Sequence, residues 1–93
     1  MLIVMEIAKL EKETRLIIED IEYEVIDNKI RTDFITRSRP SRTFRLISLH
    51  KMGEKKDSIT HYLKYYPLAN KIYFYKKGNT KKRIDKKDVK IVE

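Results

Sequence analysis

The chain has 93 residues, with 22 Lys and Arg against 14 Asp and Glu, a formal net charge of +8 and no cysteine. This length predicts a single compact domain over residues 1–93, and the absence of thiols excludes disulfides, a cysteine nucleophile and thiolate zinc sites. The apolar start of the chain ends at Glu6, too early for a signal peptide or a membrane span, so we expect a cytoplasmic protein without a membrane partner.

The charge is divided along the chain. Residues 1–30 carry four basic and eight acidic side chains, a net charge of −4, whereas residues 31–93 carry 18 basic and six acidic ones, a net charge of +12. Clustered Lys and Arg create a positive potential that attracts polyanions. Nucleic acid is therefore the first partner class that the sequence indicates.

Short apolar segments between charged turns predict mainly β structure at the start of the chain. Residues 2–8 are a candidate strand. Residues 15–26 alternate at period two around a turn or bulge at Glu19-Asp20. The apolar members of that alternation are Ile17, Ile21, Tyr23 and Val25. A helix over residues 4–22 is the alternative, because apolar residues also recur there at spacings of three and four, although no helix cap is evident.

The middle of the chain predicts a hairpin followed by a loop. Asp27-Asn28-Lys29 has the composition of a hairpin turn, and residues 30–36 continue as a strand. Residues 37–42 contain no apolar side chain and include Pro40, which predicts a loop. Residues 43–51 form the clearest strand of the chain, and a charged turn follows at 53–56.

Residues 57–66 fit two structures. A helix would place apolar residues at i, i+3, i+4 and i+7, behind an Asp57 or Ser58 cap and ahead of Pro67. Those residues are Ile59, Tyr62, Leu63 and Tyr66. A strand would instead place one alternating set on a single face. That set is Ile59, His61, Leu63 and Tyr65.

The C-terminal third predicts a second hairpin. Residues 72–75 and 81–85 flank a turn at Gly78-Asn79, and residues 89–92 form a last short strand. Five to seven short strands in one small domain predict a mainly β fold, a small barrel-like or strongly bent antiparallel sheet, because closure removes exposed edges. The predicted fold can include one short helix, at residues 57–66.

The first candidate site is an arginine loop. Four arginines occur close together, although lysine is the commoner cation elsewhere in the chain: Arg37, Arg39, Arg42 and Arg45. Arginine makes bidentate hydrogen bonds to phosphate and keeps its charge at every relevant pH. An extended loop of this kind can follow a nucleic-acid backbone or enter a groove. A solvated surface loop is the alternative.

The second candidate site is a strand face. If residues 71–77 are extended, one set of side chains shares a face, namely Lys71, Tyr73, Tyr75 and Lys77, while Ile72 and Phe74 point to the other. Two tyrosines flanked by lysines suit base stacking with phosphate neutralisation. The alternative is ordinary packing, with the tyrosines covering the core.

The third candidate site is the basic turn of the second hairpin. Its phosphate-binding candidates are Lys77, Lys81, Lys82 and Arg83. Each phosphate that such a side chain neutralises makes binding more dependent on salt. Lysines that keep the protein soluble and protect a strand edge are the alternative.

Signals for catalysis and cofactors are weak. His50 and His61 have no acidic neighbour in sequence, and the only glycines, Gly53 and Gly78, cannot form a phosphate-binding loop. Lysines between Asp85 and Asp88 favour a solvated turn over a metal site. We therefore expect no cofactor, no metal and no catalytic residue.

Together these patterns predict a non-enzymatic domain that contacts the phosphate backbone of nucleic acid through a basic face. Duplex DNA is slightly favoured over single-stranded RNA. One alternative is an adaptor or inhibitor whose basic face docks on an acidic protein partner. Another is a small metal-independent nuclease that uses a histidine with Tyr and Arg. An apolar sheet edge would also support a homodimer.

Overall fold

The computed structural model describes residues 7–33, 42–55 and 58–92. These residues form seven β-strands: β1 Arg15–Ile18, β2 Ile21–Asp33, β3 Arg42–Lys51, β4 His61–Tyr66, β5 Lys71–Lys76, β6 Lys82–Ile84 and β7 Val89–Ile91. Two three-residue 3₁₀ turns, Ile7–Lys9 and Lys86–Asp88, are the only helical elements in those ranges. No helix in the described part of the chain is long and apolar enough to cross a membrane. The prediction of a mainly β, antiparallel fold is confirmed.

The sheet is curled. Its strand order is β6-β5-β4-β3-β2-β1-β7, and each neighbouring pair is antiparallel. In a flat sheet, six strand spacings would hold the two edge strands about 29 Å apart. The chain passes from Ile84 at the end of β6 to Val89 at the start of β7, a path that can span at most about 18 Å. The edges must therefore approach each other, and the sheet forms a half-barrel.

The core fills the concave side of this sheet. The rings of Tyr23 in β2 and Phe74 in β5 lie 5.5 Å apart, although three strand spacings in a flat sheet would separate them by about 14 Å. Buried side chains from all seven strands and from the first 3₁₀ turn form one cluster: Ile7, Leu10, Leu16, Ile18, Tyr23, Val25, Ile47, Leu49, Leu63, Tyr65, Ile72, Phe74, Ile84 and Val89. The opposite, convex side carries the other half of each strand's side chains.

Residues 61–66 form a strand, so of the two structures that fit residues 57–66 the strand is confirmed there and the helix is wrong. Leu63 and Tyr65 are buried on the concave side, and β4 pairs with β3 along one edge and with β5 along the other. Pairing on both edges satisfies its backbone polar groups without a helix. Pro67 ends the strand and opens a turn that closes at Asn70, where φ is 51°.

The N-terminal segment departs from two expectations. Ile7–Lys9 is a 3₁₀ turn rather than part of a strand, residues 2–6 lie outside the described residues, and the alternative helix over 4–22 is wrong. The predicted turn at Glu19-Asp20 is confirmed, with φ values of 53° and 66°. Because this turn pairs Ile18 with Ile21, Ile17 faces the convex side instead of sharing a face with Tyr23.

The turn predicted at Asp27-Asn28-Lys29 is also wrong. These residues lie inside the long strand β2, just after a bulge between Val25 and Asp27. The Asn28 side-chain amide donates hydrogen bonds to the carbonyl oxygens of Ala8 at 3.2 Å and Leu10 at 2.9 Å. Asn28 thus holds the N-terminal segment against the sheet instead of reversing the chain.

The remaining predicted elements match the structure closely. The strand at 43–51 is β3, which begins at Arg42, and the second hairpin consists of β5 and β6 with Gly78 at a φ of 87° in its turn. The last strand is β7. Paired Asp33 and Arg42 flank residues 34–41, so most of the predicted arginine loop lies outside the described residues.

Candidate functional site

Four of the six tyrosines of the chain lie on the convex side of the sheet. In the register of β4 and β5, Tyr62 lies opposite Tyr75, Lys64 opposite Tyr73, and Tyr66 opposite Lys71. On β3, Leu46 pairs with Lys64, which places Phe44 on the same side next to Tyr66. We call this surface the tyrosine face; it comprises Phe44, Tyr62, Lys64, Tyr66, Lys71, Tyr73 and Tyr75.

The rings of the tyrosine face form two groups. Tyr62 and Tyr75 are stacked, with ring centroids 5.4 Å apart and planes inclined by 27°. Tyr66 is perpendicular to Tyr73 at 5.9 Å and tilted against Phe44 at 5.2 Å. These contacts hold partly exposed tyrosines in fixed orientations, as a stacking surface requires.

Cations surround the rings. The guanidinium of Arg42 lies 5.7 Å from the centre of the Tyr66 ring, and the Lys64 ammonium lies 4.9 Å from the centre of the Phe44 ring. Beside them a surface pocket of about 270 Å³ is lined by Arg42, Tyr66, Lys71, Tyr73 and Lys81. Aromatic surface and positive charge therefore alternate within this side of the sheet.

The charge division seen in the sequence becomes a division across the sheet. Residues 58–84, which supply β4, β5 and β6, contain seven Lys and Arg and no Asp or Glu. Glu22, Glu24 and Asp27 lie on the convex side of β2. Strand order follows chain order from β6 back to β1, so on the convex surface the acidic side chains of β2 are separated from the basic strands β4, β5 and β6 by β3.

Burial changes the ionisation of one tyrosine on this face. The pKa of Tyr75 is raised, first because burial disfavours the phenolate and second because Tyr62 lies beside it. A tyrosine is already protonated at neutral pH, and the raised pKa keeps Tyr75 uncharged at more alkaline pH as well.

The structure brings together six of the residues that the sequence singled out as nucleic-acid-binding candidates. Arg42, Lys71, Tyr73 and Lys81 line one pocket, Tyr75 neighbours it on β5, and Arg83 pairs with Tyr73. The predicted alternation of β5 is confirmed: Ile72 and Phe74 are buried in the core, whereas the tyrosines are on the other side. Phe74 fills the core, as the packing alternative also predicted, whereas Tyr73 and Tyr75 lie on the opposite side of the sheet and do not cover that core.

The other predicted binding residues lie elsewhere. Arg45 pairs with Tyr65 and is on the concave side. Lys82 pairs with Phe74, is on the same side, and forms an ion pair with Glu19. Lys77 follows the end of β5 in the exposed turn. Arg37 and Arg39 are outside the described residues.

Sequence reasoning did not assign Tyr62, Lys64 and Tyr66 to the site. Their signal was the alternation with buried Leu63 and Tyr65, which is the period of a strand exposed on one side. The same segment also satisfies helical spacing, and tyrosine at that spacing is more often a core residue. Pairing with β5 shows that the β4 tyrosines belong to this surface, because it places them in a row beside the tyrosines of β5.

The two histidines lie on opposite sides of the sheet. His50 is buried on the convex side, with Nδ1 2.8 Å from the carbonyl oxygen of Ser58. His61 faces the concave side, where its ring is stacked on Phe74 at 5.3 Å. They therefore do not form an acid and base pair around one substrate. Within residues 7–33, 42–55 and 58–92, no group of three or more His, Asp or Glu side chains is placed to hold a metal ion.

No protein family, curated protein or solved structure matches this chain. The chemistry available to the domain must therefore be derived from its own residues. The tyrosine face is the described surface that combines aromatic rings in fixed orientations with an excess of positive charge.

Proposed function

We propose that this domain binds single-stranded nucleic acid on the tyrosine face and performs no chemical step. Bases stack on the tyrosine rings, and the neighbouring Lys and Arg side chains neutralise backbone phosphates. The observation that carries the proposal is the stacked pair of Tyr62 and Tyr75 within a part of the chain that has seven basic and no acidic residues.

Unpaired bases suit this surface better than a duplex. In a duplex the bases stack on one another and present only their edges in the grooves, whereas an unpaired base offers its whole face to an aromatic side chain. Tyr66 and Tyr73 add a second pair of rings beside the first, with the buried Phe44 packed against Tyr66. The preference for DNA that the arginine loop suggested depends mainly on Arg37 and Arg39, outside the described residues, so the proposal covers both DNA and RNA single strands.

The test is a titration against labelled single-stranded DNA, single-stranded RNA and duplex DNA over a series of salt concentrations. The chain has six tyrosines and no tryptophan, so quenching of tyrosine fluorescence reports stacking directly. We expect both single strands to bind more tightly than the duplex. Contact with about three phosphates gives a slope of log K against log salt of about −2.

Two variants separate stacking from charge. Tyr75→Leu keeps an apolar side chain but removes the ring, and we expect it to lose about 1–3 kcal/mol of binding free energy with the salt slope unchanged. Lys71→Ala should make the slope shallower by about 0.7. Lys12→Ala, which removes an exposed lysine in the segment before β1, is the matched control and should leave both quantities unchanged.

Two results would contradict the proposal. Equal binding of duplex and single strands, unaffected by Tyr75→Leu, would leave only charge attraction to phosphate. Absence of binding to all three nucleic acids would direct the search to an acidic protein partner for the same face.

A further inference from the structure

We infer that the pocket between Arg42 and Lys81 receives a terminal phosphate, so that the domain prefers a phosphorylated strand end to the interior of a strand. This inference rests on the proposed binding of single strands. It adds which part of the nucleic acid the pocket recognises.

The pocket lies where several strand ends meet. Arg42 begins β3, Tyr66 ends β4 and Lys71 begins β5, so the antiparallel arrangement places all three at one end of the sheet. Tyr73 forms a further wall from β5, and Lys81 lines the pocket from the residue before β6. The site is therefore at the margin of the tyrosine face, where a strand that enters it need not continue across the sheet.

The charge of the lining favours a dianion. Among the described residues, three of the five that line the pocket are cations and none is acidic. An internal phosphodiester carries one negative charge, whereas a terminal phosphomonoester carries about −1.5 to −2 near neutral pH and offers three acceptor oxygens. The guanidinium of Arg42 can bind two of those oxygens at once, and Lys71 and Lys81 supply further point charges.

The size and shape of the pocket point to a phosphate with part of its nucleotide. At about 270 Å³ it is smaller than the roughly 300–1,000 Å³ typical of pockets that enclose a whole small ligand. Tyr66 and Tyr73 meet at 88°, so the rings form two walls of a corner instead of one flat platform. A sugar or base attached to the phosphate can pack against either wall.

The pocket also lies in line with the stacked pair. Tyr62 and Tyr66 are four residues apart on β4, a distance of about 13 Å along the strand. A single strand anchored by its end beside Tyr66 can therefore run along β4 and β5 and place a base on Tyr62 and Tyr75. End recognition and stacking would then act on one short oligonucleotide.

The experiment compares oligonucleotides of one sequence that differ only at their ends. The four forms carry a 5′-phosphate, a 3′-phosphate, hydroxyls at both ends, or no ends because the strand is circular. We expect one phosphorylated form to bind about tenfold more tightly than the hydroxyl form, which corresponds to one or two additional charge-assisted hydrogen bonds. The 5′ and 3′ forms show which end enters the pocket.

Substitutions of pocket residues test whether the preference for a phosphorylated end arises in the pocket. Arg42→Ala and Lys81→Ala should remove the preference for the phosphorylated end while the hydroxyl and circular forms still bind. Both side chains are exposed, so circular dichroism should show an unchanged fold. Lys12→Ala should keep the full preference.

The outcomes separate this inference from the proposed function. If all four forms bind equally and Tyr75→Leu weakens each of them, the inference is overturned while binding of single strands stands. A preference for one end that survives both pocket variants also overturns it. If no form binds, both proposals fail.

Discussion

His61 shows how one side chain responds to the curled sheet. Its ring is stacked on Phe74 and lies 4.8 Å from Tyr23, and its Nδ1 is 2.9 Å from the hydroxyl oxygen of Thr60. The pKa of His61 is lowered from 6.5, first by burial and then by the positive charges of Lys76 and Lys51, with Glu54 opposing them weakly. The folded protein therefore binds this proton less readily than the unfolded chain.

This shift predicts that the domain loses stability on mild acidification. Its folded-state pKa is depressed, so the stabilising contribution is fully present above about pH 7 and is lost as the pH falls through 6.5 towards the folded value. Urea unfolding at several pH values between 8 and 5.5, where Asp and Glu remain ionised, should show this decline. In His61→Phe the decline should be smaller. An equal decline in both proteins would assign it to another group.

Asn28 and Ile17 show why the structural role of some residues was predicted wrongly from the sequence. Asn28 has the composition of a turn residue, but its amide bonds two carbonyl groups about 20 positions away in sequence. Ile17 follows the period of Tyr23 in sequence, yet the two-residue turn between them reverses its side of the sheet. In both cases the deciding partner lies in another segment.

The hairpin of β1 and β2 depends on an unusual turn. Glu19 and Asp20 both have positive φ, and Ile18 pairs directly with Ile21. Two-residue turns of this kind match the twist of the strands but favour Asn and Gly, because a side chain at positive φ crowds its own backbone. Two acidic residues there store strain that a substitution can release or increase.

We expect Asp20→Gly to stabilise the protein by about 0.5–1 kcal/mol, because glycine adopts positive φ without that crowding. Asp20→Val should destabilise it by about 1–2 kcal/mol, since a branched side chain tolerates this conformation least. Urea unfolding of the two variants and the unchanged protein measures both differences in unfolding free energy. Changes of the same sign in the two variants would show that strain at Asp20 does not limit stability.

Among the strands, β3 and β5 were predictable and β4 was not. Alternation in β5 is clear, because Ile72 and Phe74 alternate with Tyr73 and Tyr75 between Lys71 and Lys76. Residues 59–66 satisfy the periods of both helix and strand, so local pattern leaves them open. The strand forms because β4 makes backbone hydrogen bonds to β3 and β5, which are separate segments of the chain.

At the scale of the whole sheet, the acidic side chains of β2 mark one border of the tyrosine face. Asp27 is on the convex side of β2, forms an ion pair with Lys29 at 3.7 Å and is one of those acidic side chains. β3 alone separates β2 from β4 and its tyrosines. A polyanion on the tyrosine face would therefore be repelled at this border and held over β4, β5 and β6.

We expect Asp27→Asn to increase the affinity for single-stranded nucleic acid about twofold at low salt, the effect of one charge about 10 Å away in water. The gain should disappear at high salt because ions screen that distance. Glu11→Gln, at an exposed position away from the tyrosine face, makes the same change of charge and should have no effect. A gain that persists at high salt would point to a change in structure.

The sequence determined the fold class, the position of β3, the alternation within β5, the acidic and basic parts of the chain, and the identity of the residues that make up much of the candidate surface. These properties are encoded locally, because period, turn composition and charge can be read from neighbouring residues. They predicted a bent antiparallel sheet, which the structure confirms.

Tertiary pairing decided which of these residues lie together. It set β4 beside β5, so that two rows of tyrosine became one surface, and it turned Lys82 and Arg45 to the other side. The curl of the sheet then made that surface convex by closing the core on the opposite side. Register and curvature depend on contacts between residues far apart in the chain, and local pattern cannot specify them.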